Sequence, residues 1–460
     1  MKTYQDLLEI GENEEKRMDF VKSVITWHQT TDLYKTAQIA DDYYKRKNRT
    51  ILEYQKFLTK FTGEVVPDVY TSNYKLASNF YGRFTTQLAQ YLLGNGISFK
   101  EESTKEKLGD DFEKKVLKGT KLALTGGVCF GYWNLDHLEI FPVTEFAPLV
   151  DEDTGKIRAG VRFWQLAPNK PIRAVFYEED GFTEYRWQDG KGTIVNDKRA
   201  YVLNIKYTEN SGEEIIEGEN YEGLPIFPLW CDDTHQSTIV GLRENIDAYD
   251  LIKSGFCNTI DEASIVYWTL NNAGGMDDVD LAQFLQRIKE LHGAFVDDNV
   301  TAEPHSINPP IEGREKLLDR LRADLYEDAM ALDTKDIADG AITATQIKAS
   351  YEPINSKADD LEYQVTEFIE KILELLGIED TPTYTRSKIV NTQEEIETII
   401  ASAQYLNDEY VAKKILELLG DADKIDEVLS GLVEDRLMSY DRTTTAETTG
   451  LETESGVQEA

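Results

Sequence analysis

The residues whose types and spacing suit them best to chemistry are acidic. Asp151-Glu152-Asp153-Thr154-Gly155 has the Asp-x-Asp-x-Gly spacing of a calcium loop, in which alternate carboxylates converge on a hard cation. The bidentate Glu at the twelfth position is missing and strand-like sequence flanks the string, so turn chemistry reads it as a hairpin turn. The adjacent pairs Asp232-Asp233 and Asp277-Asp278 supply the residue types of a glycosidase acid and base. Among 85 carboxylates such pairs arise by chance, and the chemistry needs two carboxyls held roughly 5 to 9 Å apart. The five His, at 28, 137, 235, 292 and 305, show no His-x-x-x-His spacing and no nearby cysteine pair. Cys129, Cys231 and Cys257 lie far apart and form no Cys-x-x-Cys, so they read as buried, reduced thiols. The chain has no Gly-x-Ser-x-Gly, no Walker loop and no dinucleotide fingerprint. The expectation is a protein with no cofactor, no metal and no catalytic activity.

At 460 residues the chain is long enough for several domains and a sizeable core. Its 85 acidic and 49 basic residues leave a net charge of -36, which disfavours tight binding to nucleic acid or to an anionic membrane. DNA can still pass near such a surface. No run approaches the roughly 20 apolar residues of a membrane span, and the N-terminal residues lack the apolar core of a signal peptide, so residence in cytoplasm is expected. The segment from Thr443 to Ala460 has four Glu and no Lys or Arg, the composition of a disordered tail.

These patterns predict how the chain is organised. Residues 1 to 125 read mainly as helices. Within them, Leu76, Phe80, Phe84, Leu88 and Leu92 recur every four positions and predict a helix from Asn73, stopped by Gly94-Asn95-Gly96. From Val128 to Leu229 short alternating runs separated by Asp-Gly turns predict an antiparallel β region. Period 3.6 then returns, with Leu242, Ile246, Tyr249, Phe256, Ile260 and Ala263 marking one stripe over 239 to 265, a helix on the order of 40 Å long. Its expected partner runs from Glu312 to Leu332, with Leu317, Leu321, Leu325 and Leu332 as the facing stripe. A small lobe, 266 to 311, is inserted between the two. A short polar segment, Asp333 to Ala341, precedes a long helix with Leu361, Val365, Phe368, Ile372 and Leu376 as its stripe, which Pro353 should kink or break. Shorter helical patterns close the chain.

The string Asn73-x-x-x-x-x-Asn79-Phe80, followed by Tyr91-Leu92-Leu93-Gly94-Asn95, resembles the portal proteins of long-tailed bacteriophages. Ile246-Asp247-Ala248-Tyr249-Asp250 is similar to the start of that family's first stem helix, and Leu224-Pro225-Ile226-Phe227-Pro228 to the strand before it. The order of segments from about 30 to 440 is also that of the family. The resemblance implies an α+β portal fold: a mixed α/β wing (1–238), a first stem helix (239–265), an α/β clip (266–311) and a second stem helix (312–332). A tunnel loop (333–341), a kinked long helix (342–378), a helical crown (385–440) and the acidic tail (441–460) would follow.

By the same resemblance the chain forms a ring, probably of 12 copies, at one capsid vertex, through which double-stranded DNA enters and leaves. Its partners would be the large terminase subunit, a head-to-tail adaptor, and the major capsid and scaffolding proteins, with no membrane. Asp333, Thr334, Lys335, Asp336, Asp339 and Gly340 would form the tunnel loop. Trp268, Asn271, Asp277, Asp278 and Asp280 would lie on the clip's docking surface. Lys253, Arg314, Lys316, Arg320 and Arg322 cluster on the stem pair. They either line the channel or pair with Glu244, Asp250, Glu315 and Asp319 at helical spacing. The alternatives are another phage head assembly protein, such as an adaptor or scaffold, and an acidic glycosidase.

Overall fold

The structure, a computed structural model, describes residues 2–60, 62–69, 71–207, 214–263, 267–271, 277–291, 301–305, 311–335, 344–387, 396, 399–419, 425 and 428. It divides into two compact units, one of residues 1–333 with 353–387, the other of 334–352 with 388–460. The chain is a mixed α and β protein. Among the described residues no helix is long and apolar enough to cross a membrane. Asp336, Asp339 and Gly340, residues 272–276, most of the expected crown and the acidic tail lie outside the described residues.

The first unit opens with α1 (Tyr4–Ile10), α2 (Glu14–Thr30), α3 (Asp32–Tyr44) and α4 (Arg49–Glu53). Each of the first three starts on a side chain that takes an otherwise orphaned N–H: Thr3 with Asp6 as a capping box, Asn13 on Lys16, and Thr31 on Tyr34. A two-stranded hairpin follows, β1 (Phe57–Thr59) with β2 (Val65–Pro67). Next come α5 (Phe80–Leu93), the short β3 (Ile97–Ser98), α6 (Glu102–Leu108) and α7 (Phe112–Gly126).

The expected β region is a pair of packed antiparallel sheets. Strands β4 (Val128–Asn134) and β5 (His137–Pro142) join β13 (Ile226–Trp230) in the order β13-β4-β5. Strands β6 (Phe146–Val150), β7 (Ile157–Trp164), β8 (Ile172–Glu178), β9 (Gly181–Gln188) and β10 (Lys191–Arg199) form a five-stranded meander. A separate ribbon pairs β11 (Val202–Tyr207) with β12 (Glu214–Glu219). Alternation places Ala147, Leu149, Val161, Phe163, Ala174, Phe176, Tyr185 and Trp187 on one face of the meander, buried against Phe20, Val21, Val24 and Ile25 of α2. Part of the opposite face, with Phe146 and Tyr177, shares an aromatic cluster with Phe130, Tyr132 and Phe141 of the smaller sheet. Asp151 to Gly155 turns β6 into β7. Asp151 accepts the N–H of Asp153 and of Thr154, and Gly155 takes a φ of 68°.

The helix expected from Asn73 begins only at Phe80, because residues 73–79 form a non-helical strap. Leu76 keeps the four-residue spacing but sits in that strap, whose N–H groups bond elsewhere. Further along, α5 does stop at Leu93, and Gly96, at φ 83°, turns the chain into β3, which pairs with β16 (Thr383–Tyr384).

Helices α8 (Arg243–Ala263) and α10 (Ile311–Asp328) pack against each other. The inserted lobe contains β14 (Tyr267–Asn271) paired with β15 (Thr301–His305), and helix α9 (Asp278–Leu291). Burial along the expected stripes is uneven. Ile246 and Leu325 are buried, but Ile260 is 47% and Leu317 45% exposed, so the half of the helix pair nearest the lobe leaves its apolar face uncovered in one chain.

The C-terminus of α10 is a Schellman-type cap, with Ala331 N bonding to Tyr326 O and Met330 N to Glu327 O. Met330 holds the left-handed position at φ 51°, where a Cβ is strained. Met330→Gly should raise stability by about 1 kcal/mol, read as a shift in the denaturant midpoint at unchanged slope. Lys357, largely buried, donates its Nζ to Ala329 O at 2.9 Å at the same helix end, and burial pushes its pKa down. The long helix runs over Ala344–Leu375 with Pro353 inside it, and the boundary between the two units falls at that proline. In the second unit the described elements include helical residues 399–402, a 3₁₀ turn, Ala403–Tyr405, and the helix Asp408–Leu419.

Candidate functional site

The face of α8 that meets the strap is polar and buried. Asp250, Ser254 and Asn258, four residues apart, are 0%, 2% and 4% exposed. Asp250 accepts Ser78 N at 2.9 Å, Ser254 accepts Leu76 N at 3.0 Å, and Asn258 accepts Tyr74 N at 2.7 Å. The ladder works because the two repeats nearly match: four residues of helix advance about 6.0 Å and two of an extended chain about 6.6 Å. Every second N–H of the strap thereby meets every fourth side chain of the helix. Asn48 adds a hydrogen bond to the Asp250 carboxylate, and Ser72 bonds to Asp261 beyond the far end. One turn earlier Asp247 accepts the hydroxyls of Tyr43 and Thr50. These contacts fix α8 to the N-terminal helices. Burial raises the pKa of Asp250, against the lowering effect of its hydrogen bonds from Asn48 and Ser78.

Of the five expected stem cations, Arg314, Arg320 and Arg322 find partners other than the four carboxylates expected from spacing, while Lys253 still acts electrostatically on Asp250. Arg314 donates to Thr259 Oγ1 at 2.7 Å, which ties α10 to α8, and lies over the Phe256 ring. Arg322 is bound to Asp333 at 2.7 Å and lies 5.0 Å from the Tyr326 ring centroid. Arg320 pairs with Asp324 on its own helix, and Lys253 lies over Tyr249. Lys316 is exposed. Asp250 is committed to the strap instead. The expected tunnel-loop segment thus begins with Asp333 held by Arg322, while Thr334 and Lys335 are exposed.

Two acidic residues of the inserted lobe are occupied in shaping it. Asp277 Oδ1 accepts Val279 N and Asp280 N, and Asp280 accepts Asp277 N in return, a capping box at the start of α9. Asn271 closes β14 opposite Thr301 and is exposed. The side chains of Trp268 and Asp278 lie outside the described residues. Asp232 is half-buried and caps Thr234, and Asp233 is exposed and bonds Gln364, so this pair is not a buried acid and base. Of the cysteines, Cys129 and Cys231 are buried, and burial pushes the Cys231 thiol up to about 12. Cys257, expected to be buried like the other two, is only half-buried, on the half of α8 nearest the inserted lobe.

Spacing alone singled out the cation cluster but missed Ser254 and Asn258, and it did not show that Asp250 accepts from Asn48 and Ser78. The available signal was a polar row at i, i+4, i+8 continuing an apolar position, Ile246.

Comparison with known proteins extends over this whole arrangement. Residues 25–430 match the sequence model of the family described as phage portal protein, SPP1 Gp6-like. The portal protein of Bacillus phage SPP1 is 21% identical over 419 residues, covering 83% of this chain and 79% of that protein. The portal protein of Clostridium phage phiCD119 is 26% identical over 354 residues, covering 70% of this chain and 76% of that protein. Among solved structures, a chain of the neck of a native gene transfer agent particle, computed with C12 symmetry, aligns with a TM-score of 0.44 at 9% identity, covering 73% of this chain and 89% of that one. A chain from the virion of the same kind of particle aligns at 0.43 and 10%, again covering 73% and 89%.

Proposed function

Because the chain belongs to the phage portal protein family of the SPP1 Gp6-like type, we propose that it is the ring-forming subunit of a portal at one capsid vertex, through which duplex DNA is packaged and ejected. The observation that carries this reading is the family match across 25–430, which includes every element described above except the first helix and part of the second. In this reading the two sheets and the N-terminal helices are the wing, α8 and α10 the stem, and the lobe between them the clip. Residues 333–341 are the tunnel loop, with Lys335 touching phosphates in passing. The apolar positions left open on the stem, Ile260 and Leu317, are then covered by a neighbouring copy.

The net charge of -36 suits a bore in which DNA slides, since a negative wall repels the duplex within a Debye length of about 8 Å. The terminase motor and later an adaptor would dock at the clip, with capsid and scaffold around the wing. The test is direct. Purified protein should appear in negative stain as closed rings with a central hole wide enough for duplex DNA, and in mass photometry as multiples of 52.4 kDa. A monomer alone at micromolar concentration would overturn the reading.

A further inference from the structure

Across the outer face of the five-stranded meander, register aligns one row of four residues. Trp164 is opposite Arg173, Arg173 opposite Arg186, and Arg186 opposite Thr193. Like charges directly opposite on adjacent strands are destabilising. Both arginines are exposed, and neither guanidinium has a hydrogen-bond or ion-pair partner among the described residues. The acids nearby are committed elsewhere, Glu184 to Arg199 at 2.6 Å and Glu139 to Arg162 at 3.0 Å. The row borders a shallow pocket of about 90 Å³ that Trp164 and Val195 also line.

The α1–α2 turn, on the other side of the same sheet, carries the opposite charge. Glu9, Glu12, Glu14, Glu15 and Asp19 are all exposed there, and among the described residues only Glu12 has a cation, Arg17, within ion-pair distance. Leu8 stands beside them 61% exposed. Each side thus presents unmatched charge next to a large apolar side chain. A ring built by rotation brings one side of each subunit against the opposite side of the next, so it requires two different and complementary surfaces.

We propose that the Trp164–Arg173–Arg186 row receives the acidic α1–α2 turn of a second copy of this chain, with Leu8 seated against Trp164 and Val195. The proposal rests on the ring reading given above. A planar guanidinium fork suits paired carboxylates. In a subunit this acidic, a local cation pair also offsets the repulsion between copies and fixes their register.

The test is a charge swap in the full chain, with ring fraction followed by mass photometry across concentration and folding followed by circular dichroism. Arg173→Glu with Arg186→Glu should raise the half-assembly concentration by about tenfold, as should Glu14→Arg with Glu15→Arg, and the combination of all four should recover most of the loss. Should the glutamate pair fail to fold, Arg173→Gln with Arg186→Gln should give a smaller loss in the same direction. Wild-type assembly by a folded arginine variant, or a fourfold variant no better than its parents, would remove this contact and leave the ring reading standing. Absence of rings from the wild-type chain would remove both.

Discussion

Asp250→Ala is expected to cost about 2–4 kcal/mol, since it strands the buried Ser78 N–H and the Asn48 amide that the carboxylate now satisfies. The loss should be local first. The strap 73–79 has no other described interaction as regular as the ladder, so its amides should exchange with solvent faster than those of α8. A change below about 0.5 kcal/mol, the usual size for an exposed site, would mean that the ladder does not hold the strap. The pH dependence has a defined sign. Burial raises this carboxyl above its ordinary value of 3.8, so the folded chain holds the proton more tightly than the unfolded one. This group's contribution is therefore fully present below 3.8 and declines as pH rises through the folded value. Asp250→Asn should flatten that decline in melting temperature measured against pH.

Phe368→Ala is expected to cost about 3–5 kcal/mol, the range for a buried aromatic truncated in a core. Phe368 is 1% exposed and lies against Gly131 of β4, where an added Cβ would fall 2.4 Å from its ring. Gly131→Ala alone should therefore also destabilise, because a fully buried ring has no room to retreat. The double variant should cost at least about 1 kcal/mol less than the sum, since the new methyl enters the space the ring vacates. Simple additivity in denaturant unfolding would show that the two do not touch. The pair matters because it anchors the helix that follows the expected tunnel loop to the three-stranded sheet.

Much of this architecture was legible in the sequence, for physical reasons. The meander announces itself through alternation, because one face of each strand must be buried and the turns need residues such as Gly155 and Gly190 at positive φ. The α8 and α10 pair announces itself through its stripes. Neither the strap nor the ladder could be read this way. Leu76 fits a helical period, and what overrides it is a set of acceptors on α8 more than 170 residues further along the chain. Asp250, Ser254 and Asn258 look like a solvated face until the strap covers them. The cations of α8 and α10 were visible as a cluster, yet helical spacing did not name the partners that Arg314 and Arg322 take. Arg322 reaches past its own helix to Asp333, and Arg314 reaches across to α8.

The matched ladder also gives the protein a mechanical direction. Three cross-links at nearly equal intervals tie the strap to α8. A pull along the helix axis stretches all three together, in shear, and none can fail without the others. A pull at right angles, starting from the Ser72 end, meets them singly and peels the strap away. The anchorage of α8 is thus stiff along its own axis and compliant across it, an anisotropy set by two repeat lengths that happen to agree.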